Sequence, residues 1–192
     1  MFKIIDGEFH IDVPSYRDIR WMIVQIGVGG TGGNVLLSMA RILRGFMVRN
    51  EKIYYKYIIA DGTTVKPHNL ENQQFRKTDV GKKKTEVLAE RYYRLLDVPI
   101  YAYHDYVEDV ETLERLFDTE DRWEVNIPVL LGCVDNNRSR QVFHQFFDRA
   151  DNLIYIDSGN TTYGGQVIMG VKADVKEILP PAGRIYKEML TD

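Results

Sequence analysis

The chain has 192 residues, 44% apolar and 28% charged, with a formal charge of -3 and a pI near 5.8. That length buries one sizeable core but is short for two, and the slightly acidic balance leaves no basic face of the kind that holds nucleic acid. A single cysteine excludes an internal disulfide, and with no apolar run near the roughly 20 residues that cross a bilayer and no secretory leader at the start, a cytoplasmic protein without a membrane segment is expected.

In chain order, "FKIIDGEFHI" sets Asp6-Gly7 between two short apolar-rich runs and predicts a two-residue hairpin within an N-terminal extension over 1–20. "WMIVQIG" (21–27) reads as a continuous apolar strand, covered on both faces, that feeds a glycine turn and then a helix carrying Val35, Leu36, Met39, Leu43, Phe46 and Met47. "KYIIAD" (56–61) is the next strand, and "DVGKKKTEVLAERYYRLLD" a helix with Val87, Leu88, Tyr92 and Leu95 at helical spacing. "VPIYAYHDYV" (98–107) is a third strand, followed by a short helix with Val110, Leu113, Leu116 and Phe117. "IPVLLGCVD" (127–135) is a fourth, leading to a helix with Val142, Phe143, Phe146 and Phe147. "NLIYIDSGN" and "GGQVIMGV" (164–171) are the last two, joined by a short Gly-rich link that implies they are antiparallel, with a tail over 172–192. The whole predicts one α/β domain: a Rossmann-like, doubly wound, mostly parallel sheet with antiparallel C-terminal strands.

Ligands of such sheets lie beyond the carboxyl ends of the strands, and five small constellations fall there. Gly27, Gly29 and Gly32, with Gly30 and Gly33 beside them, satisfy G-x-G-x-x-G, a tight turn whose following amides face a phosphate or simply a turn without ligand. Asp61 ends the second strand, where an acid holds ribose hydroxyls or caps a loop. Lys82, Lys83 and Lys84 open a helix, where cations gain nothing unless an anion binds; Lys82 and Lys83 read as a solvated run. Asp135, after the fourth strand, suits Mg²⁺ beside phosphates or a helix N-cap. Cys133 lies within an apolar run and reads as a buried structural thiol, and the four histidines lack zinc-ligand spacing. The glycines of "YIDSGNTTYGGQV" let a backbone or a flexible peptide approach closely, or make a simple turn.

Together, in this order and spacing over about residues 20 to 171, the five resemble the ThiF/MoeB/ubiquitin-activating-enzyme superfamily. "GVGGTGG" is similar to its G-x-G-G-x-G, "DGTTVKPHNLENQ" to D-x-D-x-V-x-x-x-N-L-x-R-Q, "DVGKKK" to a lysine-bearing segment, "DNNRSR" to D-N-x-x-x-R, and "GGQV" to its crossover strand. The wording looks nearest to compact bacterial ThiF-like proteins encoded beside plasmid or phage-type ubiquitin-like systems. The resemblance implies ATP rather than NAD, with Asp61 on the ribose, Asn69 and Lys84 on the phosphates, Asp135 on Mg²⁺ and Arg140 supporting its loop. It further implies adenylation of the C-terminal carboxylate of a ubiquitin-like or sulfur-carrier protein by a homodimer, the partner's tail threading near Gly164 and Gly165.

Three departures stand out. The family's arginine in N-L-x-R-Q is Asn72, with Arg76 nearby but out of register; the second acid of D-x-D is Thr63; and Arg17 or Arg20 stands for the arginine that a partner subunit often contributes. No transfer cysteine or zinc pair follows the crossover strand. The alternatives are a degenerate subunit of a heterodimer that binds nucleotide or partner without chemistry, and an NAD-dependent oxidoreductase.

Overall fold

The structure is a computed structural model that describes residues 2–6, 8–11, 18–49, 54–118, 125–160 and 164–191. The N-terminal hairpin forms as predicted: β1 (Phe2–Ile5) pairs antiparallel with β2 (Glu8–Ile11), and Asp6 takes the positive φ of 52° that a two-residue turn of this hand requires.

A seven-stranded sheet follows. Its strands are β3 (Ile19–Ile26), β4 (Tyr54–Ala60), β5 (Tyr101–Tyr103), β6 (Val125–Gly132), β7 (Leu153–Asn160), β8 (Gly165–Ala173) and β9 (Lys176–Leu179), in the order β5-β4-β3-β6-β7-β8-β9. The first five are mutually parallel, and β8 and β9 run antiparallel. Chain order reverses between β3 and β6, which opens a crevice at their carboxyl ends.

Alternation along the strands supplies both faces. Ile23, Tyr57, Ile59 and Leu131 pack with Leu36 and Leu43 of α1 (Gly30–Val48) and Leu88 of α2 (Lys84–Leu96). Val24, Ile26, Ile58 and Leu130 pack with Leu113 of α3 (Val110–Phe117) and Phe143, Phe146 and Phe147 of α4 (Asn137–Arg149). Two-sided burial of this kind explains why the strands read as apolar runs.

Three boundaries differ from the sequence reading. The strand expected over 98–107 is short, because at the sheet's edge it pairs only with Ile58–Ala60. The helix expected from Asp79 begins at Lys84, because Val65 N donates to Lys82 O at 2.9 Å, Gly81 N to Val65 O at 2.9 Å and Lys84 N to Thr63 O at 3.2 Å, with Gly81 at φ 88° and Lys83 bridged to Thr64, which keeps 81–83 out of the helix. The tail is ordered into elements over its described residues: β8 runs to Ala173, β9 returns, and α5 (Ala182–Ile185) seats Gly183 where an added Cβ would lie 2.4 Å from the His144 ring.

One polar residue interrupts β3. Gln25 is fully buried, and its Nε2 donates to Gly27 O at 2.9 Å and Gly32 O at 2.8 Å, while Tyr57 Oη donates to its Oε1 at 2.5 Å. Burial pushes the Tyr57 phenol well above its ordinary pKa, so it remains a donor. The side chain thereby ties both ends of the glycine turn to the sheet beneath it.

Two stability predictions arise. Gln25→Leu strands two carbonyls and a buried phenol, each worth about 1–3 kcal/mol, so Tm should fall by at least ~4 °C; a wild-type Tm in this variant would deny the tie any importance. The β8–β9 turn places Val175 at φ 68°, a conformation hostile to a β-branched residue, with its side chain 64% exposed. Val175→Gly should therefore raise stability by about 1 kcal/mol in chemical denaturation, and a decrease would show that the turn carries no strain.

Candidate functional site

The crevice at the switch point is a cleft of about 700 Å³ lined by the glycine turn, the ends of β4 and β6, the start of α2 and α4, and Ser158 and Asn160 of β7. A hollow of about 890 Å³ lies at the opposite end of the sheet, beside Asp109, Arg115 and Asn126. It gathers none of the glycine or lysine motifs.

Two glycines of the turn are required by the fold itself. Gly27 has φ 91°, and a Cβ there would lie 2.4 Å from Cys133 O; at Gly32 it would lie 2.1 Å from Gly27 O. Gly29 and Gly30 differ, because the nearest atoms to an added Cβ are 3.8 and 3.7 Å away. Both line the cleft, so their lack of side chains leaves room for a ligand rather than for the protein.

Asp61 lines the cleft with both carboxylate oxygens engaged. Oδ2 accepts from Val28 N at 3.0 Å, and Oδ1 accepts from Thr63 N at 2.9 Å and Thr63 Oγ1 at 2.5 Å. Thr63, standing where the resemblance expects a second acid, thus braces the first. Between them Gly62 admits the Tyr106 ring, which an added Cβ would meet at 2.5 Å.

The lysines separate. Lys82 is exposed and does not line the cleft. Lys83 is not a solvated charge: its Nζ donates to Gly62 O at 3.3 Å and His104 O at 3.1 Å, fastening the α2 entry to the β4 and β5 ends. Lys84 is 8% exposed, lines the cleft, and has no side-chain partner among the described residues. Its stem is buried while its unpartnered ammonium opens to the cleft, so the position suits an anion there.

Asp135 also lines the cleft, exposed and without a side-chain partner among the described residues. The cap of α4 is the next residue: Asn136 Oδ1 accepts from Ser139 N at 2.8 Å, which frees Asp135 from the capping role. Arg140 sits behind the loop, donating to Val134 O at 2.8 Å, Ser158 O at 3.4 Å and Asp157 Oδ1 at 3.2 Å. Asp157, which sequence reasoning passed over, is buried and also accepts from Tyr155 Oη at 2.6 Å. Burial and that carboxylate push the Tyr155 phenol far up, so it stays protonated.

Some expected residues stand apart. Asn69 is buried outside the cleft lining, its Oδ1 accepting from Lys66 N at 2.9 Å in the turn Pro67–Leu70. Arg20 is buried near the amino end of β3, donating to Asn126 Oδ1 at 3.0 Å, remote from the cleft; Arg17 lies outside the described residues. Arg76 does not line the cleft, whereas Asn72 does. Arg138, Tyr106 and Gln73 also line it and were missed; the available signals were a basic residue three after Asp135 and a glutamine beside the motif's missing arginine.

Charge on the lining is lopsided. Asp61, Asp105, Glu108 and Asp135 face only Lys84 and Arg138 among the described residues. Among those residues no cluster of three or more His, Cys, Asp or Glu is placed to hold a metal by itself.

Solved structures with the same fold include E. coli MccB with AMPCPP and MccA (18% identity, TM-score 0.60, covering 88% of this chain and 46% of that one). Others are E. coli tRNA N6-threonylcarbamoyladenosine dehydratase, TcdA, in complex with AMP (18%, 0.54, 72% and 51%) and PaaA (18%, 0.52, 79% and 40%). The chain spans about half the length of these proteins or less. Comparison with curated proteins found no sequence match. The ThiF family model matches residues 11–188, well beyond the 20–171 of the sequence motifs, and the chain belongs to the ThiF family.

Proposed function

We propose that the chain is an ATP-dependent adenylyltransferase that activates the terminal carboxylate of a small protein or peptide, most closely a ubiquitin-like or sulfur-carrier protein. The observation that carries this reading is Lys84, whose stem is buried and whose ammonium, unpartnered among the described residues, faces a cleft with a glycine turn at its floor, at the switch point of the sheet. AMP in TcdA and AMPCPP beside MccA in MccB support an adenine nucleotide in the same fold.

In this reading the triphosphate lies over Gly29 and Gly30, Lys84 neutralises it, and Asp61 holds the ribose through the acceptor site on Oδ2 that Val28 leaves open. The carboxylate of the acyl partner attacks the α-phosphorus, the bond to the bridging oxygen breaks, and pyrophosphate leaves. Both reactants are anionic, so the site must align them and offset their repulsion. With four carboxylates against two cations on the lining, a polyanion needs a further cation. Asp135, free and oxygen-bearing, fits Mg²⁺ held by one carboxylate together with phosphate oxygens, and the ion would supply charge stabilisation. Asn69, whose Nδ2 has no partner among the described residues, remains available toward phosphate only if its turn moves.

The partner's tail has a natural track. β9 pairs with β8 only through Val171–Ala173, which leaves Gly165–Met169 as the sheet edge among the described residues, beside Asn160 of the cleft. An extended tail adding along this edge delivers its last residue to the nucleotide. Activity by a homodimer in the cytoplasm completes the proposal.

Cys133 lines the cleft but is a poor acceptor for the activated acyl group: burial pushes its thiol up to about 11. Its thiolate is therefore scarce at neutral pH and grows about tenfold per pH unit. Iodoacetamide labelling of the native protein should follow that rise toward pH 11, and a plateau below pH 9 would reveal an activated thiol instead.

Saturating Mg-ATP should stabilise the protein by about 2.7 kcal/mol at 100 times its dissociation constant, and NADH should not. Lys84→Ala should abolish that shift, and Mg-dependent pyrophosphate exchange in the presence of a carrier should fall by at least about 100-fold in both Lys84→Ala and Asp135→Ala. Exchange that survives both substitutions overturns the site. ATP binding without exchange for any tail would favour a binding subunit without chemistry, the reading that Asn72 supports.

A further inference from the structure

The motif arginine is absent at Asn72, yet the cleft presents a second cation from another wall. Arg138, in the first turn of α4, lines the cleft together with Lys84, and among the described residues these are its two cationic side chains. The guanidinium is 80% exposed and reaches Glu108, 65% exposed, at 3.9 Å. Glu108 belongs to the loop between β5 and α3, which packs beside α4, and it too lines the cleft. No other partner of Arg138 occurs among the described residues.

An exposed pair at that separation is weak, typically worth about 0–1 kcal/mol and screened by salt. A triphosphate offers the same guanidinium several charges and paired oxygens, which bind it bidentately and far more strongly than one distant carboxylate. The weak pair therefore keeps the arginine poised without holding it. Neighbouring cations do not substitute for it. Lys83 is committed to two carbonyls, and Arg140 to Asp157 and the backbone behind the loop.

Building on the adenylation reading, we propose that Arg138 is a phosphate-binding residue of this site, exchanging Glu108 for the β- and γ-phosphates of the nucleotide, with Glu108 as their competitor for the guanidinium. Arg138 thus takes over from a different element the charge that position 72 lacks. Removing Glu108's charge leaves the arginine unopposed, so the two substitutions act in opposite directions.

The test is titration of the full chain with Mg-ATP and, separately, adenosine, by calorimetry at low and moderate salt. Arg138→Ala should weaken Mg-ATP about tenfold, the scale of one charge-assisted contact, while leaving adenosine within about twofold. Glu108→Gln should tighten Mg-ATP by about twofold, with the gain shrinking as salt rises. Both side chains are exposed, so neither change threatens folding, and unaltered melting without ligand would verify that. Equal Mg-ATP affinity in wild type and Arg138→Ala overturns the exchange while leaving the nucleotide site intact. Loss of affinity in Glu108→Gln also overturns it, because the acid would then be a ligand rather than a competitor. Wild-type protein that binds no Mg-ATP removes the nucleotide reading and the exchange with it.

Discussion

At Gly27 the backbone comes so near the Cys133 carbonyl that no side chain fits, and Gly32 presses against Gly27 itself. These contacts bring the end of β3 against the end of β6, where the order of the sheet reverses. Everything in the site is measured from that junction. The turn sits low because the Gln25 amide donates to its Gly27 and Gly32 carbonyls from beneath, itself held by the Tyr57 hydroxyl, in a layer that is otherwise apolar. A polar side chain at the centre of a buried strand is costly unless every bond is made, and here the bonds it makes define the turn.

Charge is distributed by the same logic of committed and uncommitted groups. Lys83, Arg140 and Asp157 spend their charge on the scaffold, joining loop to strand and strand to strand. Lys84 and Asp135 have no such commitments and face the cleft. Adjacent residues of one lysine run therefore differ in kind. The bridge of Lys83 to Thr64, with backbone bonds from 81–84 to Thr63 and Val65, directs Lys83 to carbonyls and Lys84 inward.

Much of this was legible in the sequence. Apolar runs alternating with helical patterns specify a parallel sheet, and the glycine spacing locates its switch point, because both are local or periodic signals. The antiparallel β7–β8 pair followed from a link too short for a crossover. What escaped was set by pairing between distant segments. The true start of α2 depends on backbone bonds from Thr63 and Val65, the shortness of β5 on its edge position, and the order in the last twenty residues on a docking seat at His144. Gln25 was hidden because one amide barely disturbs an apolar average. Asn69 resembled a phosphate ligand by motif but caps its own turn, a role that the same spacing serves equally well.

The contact between Gly62 and Tyr106 couples two positions that lie 44 residues apart in sequence. A methyl group at position 62 would enter the ring, so a side chain there requires Tyr106, 62% exposed, to swing out of its place at the cleft. Because Gly62 also lends its carbonyl to Lys83, the rim of the cleft responds to such a change as a linked group of residues rather than one site at a time.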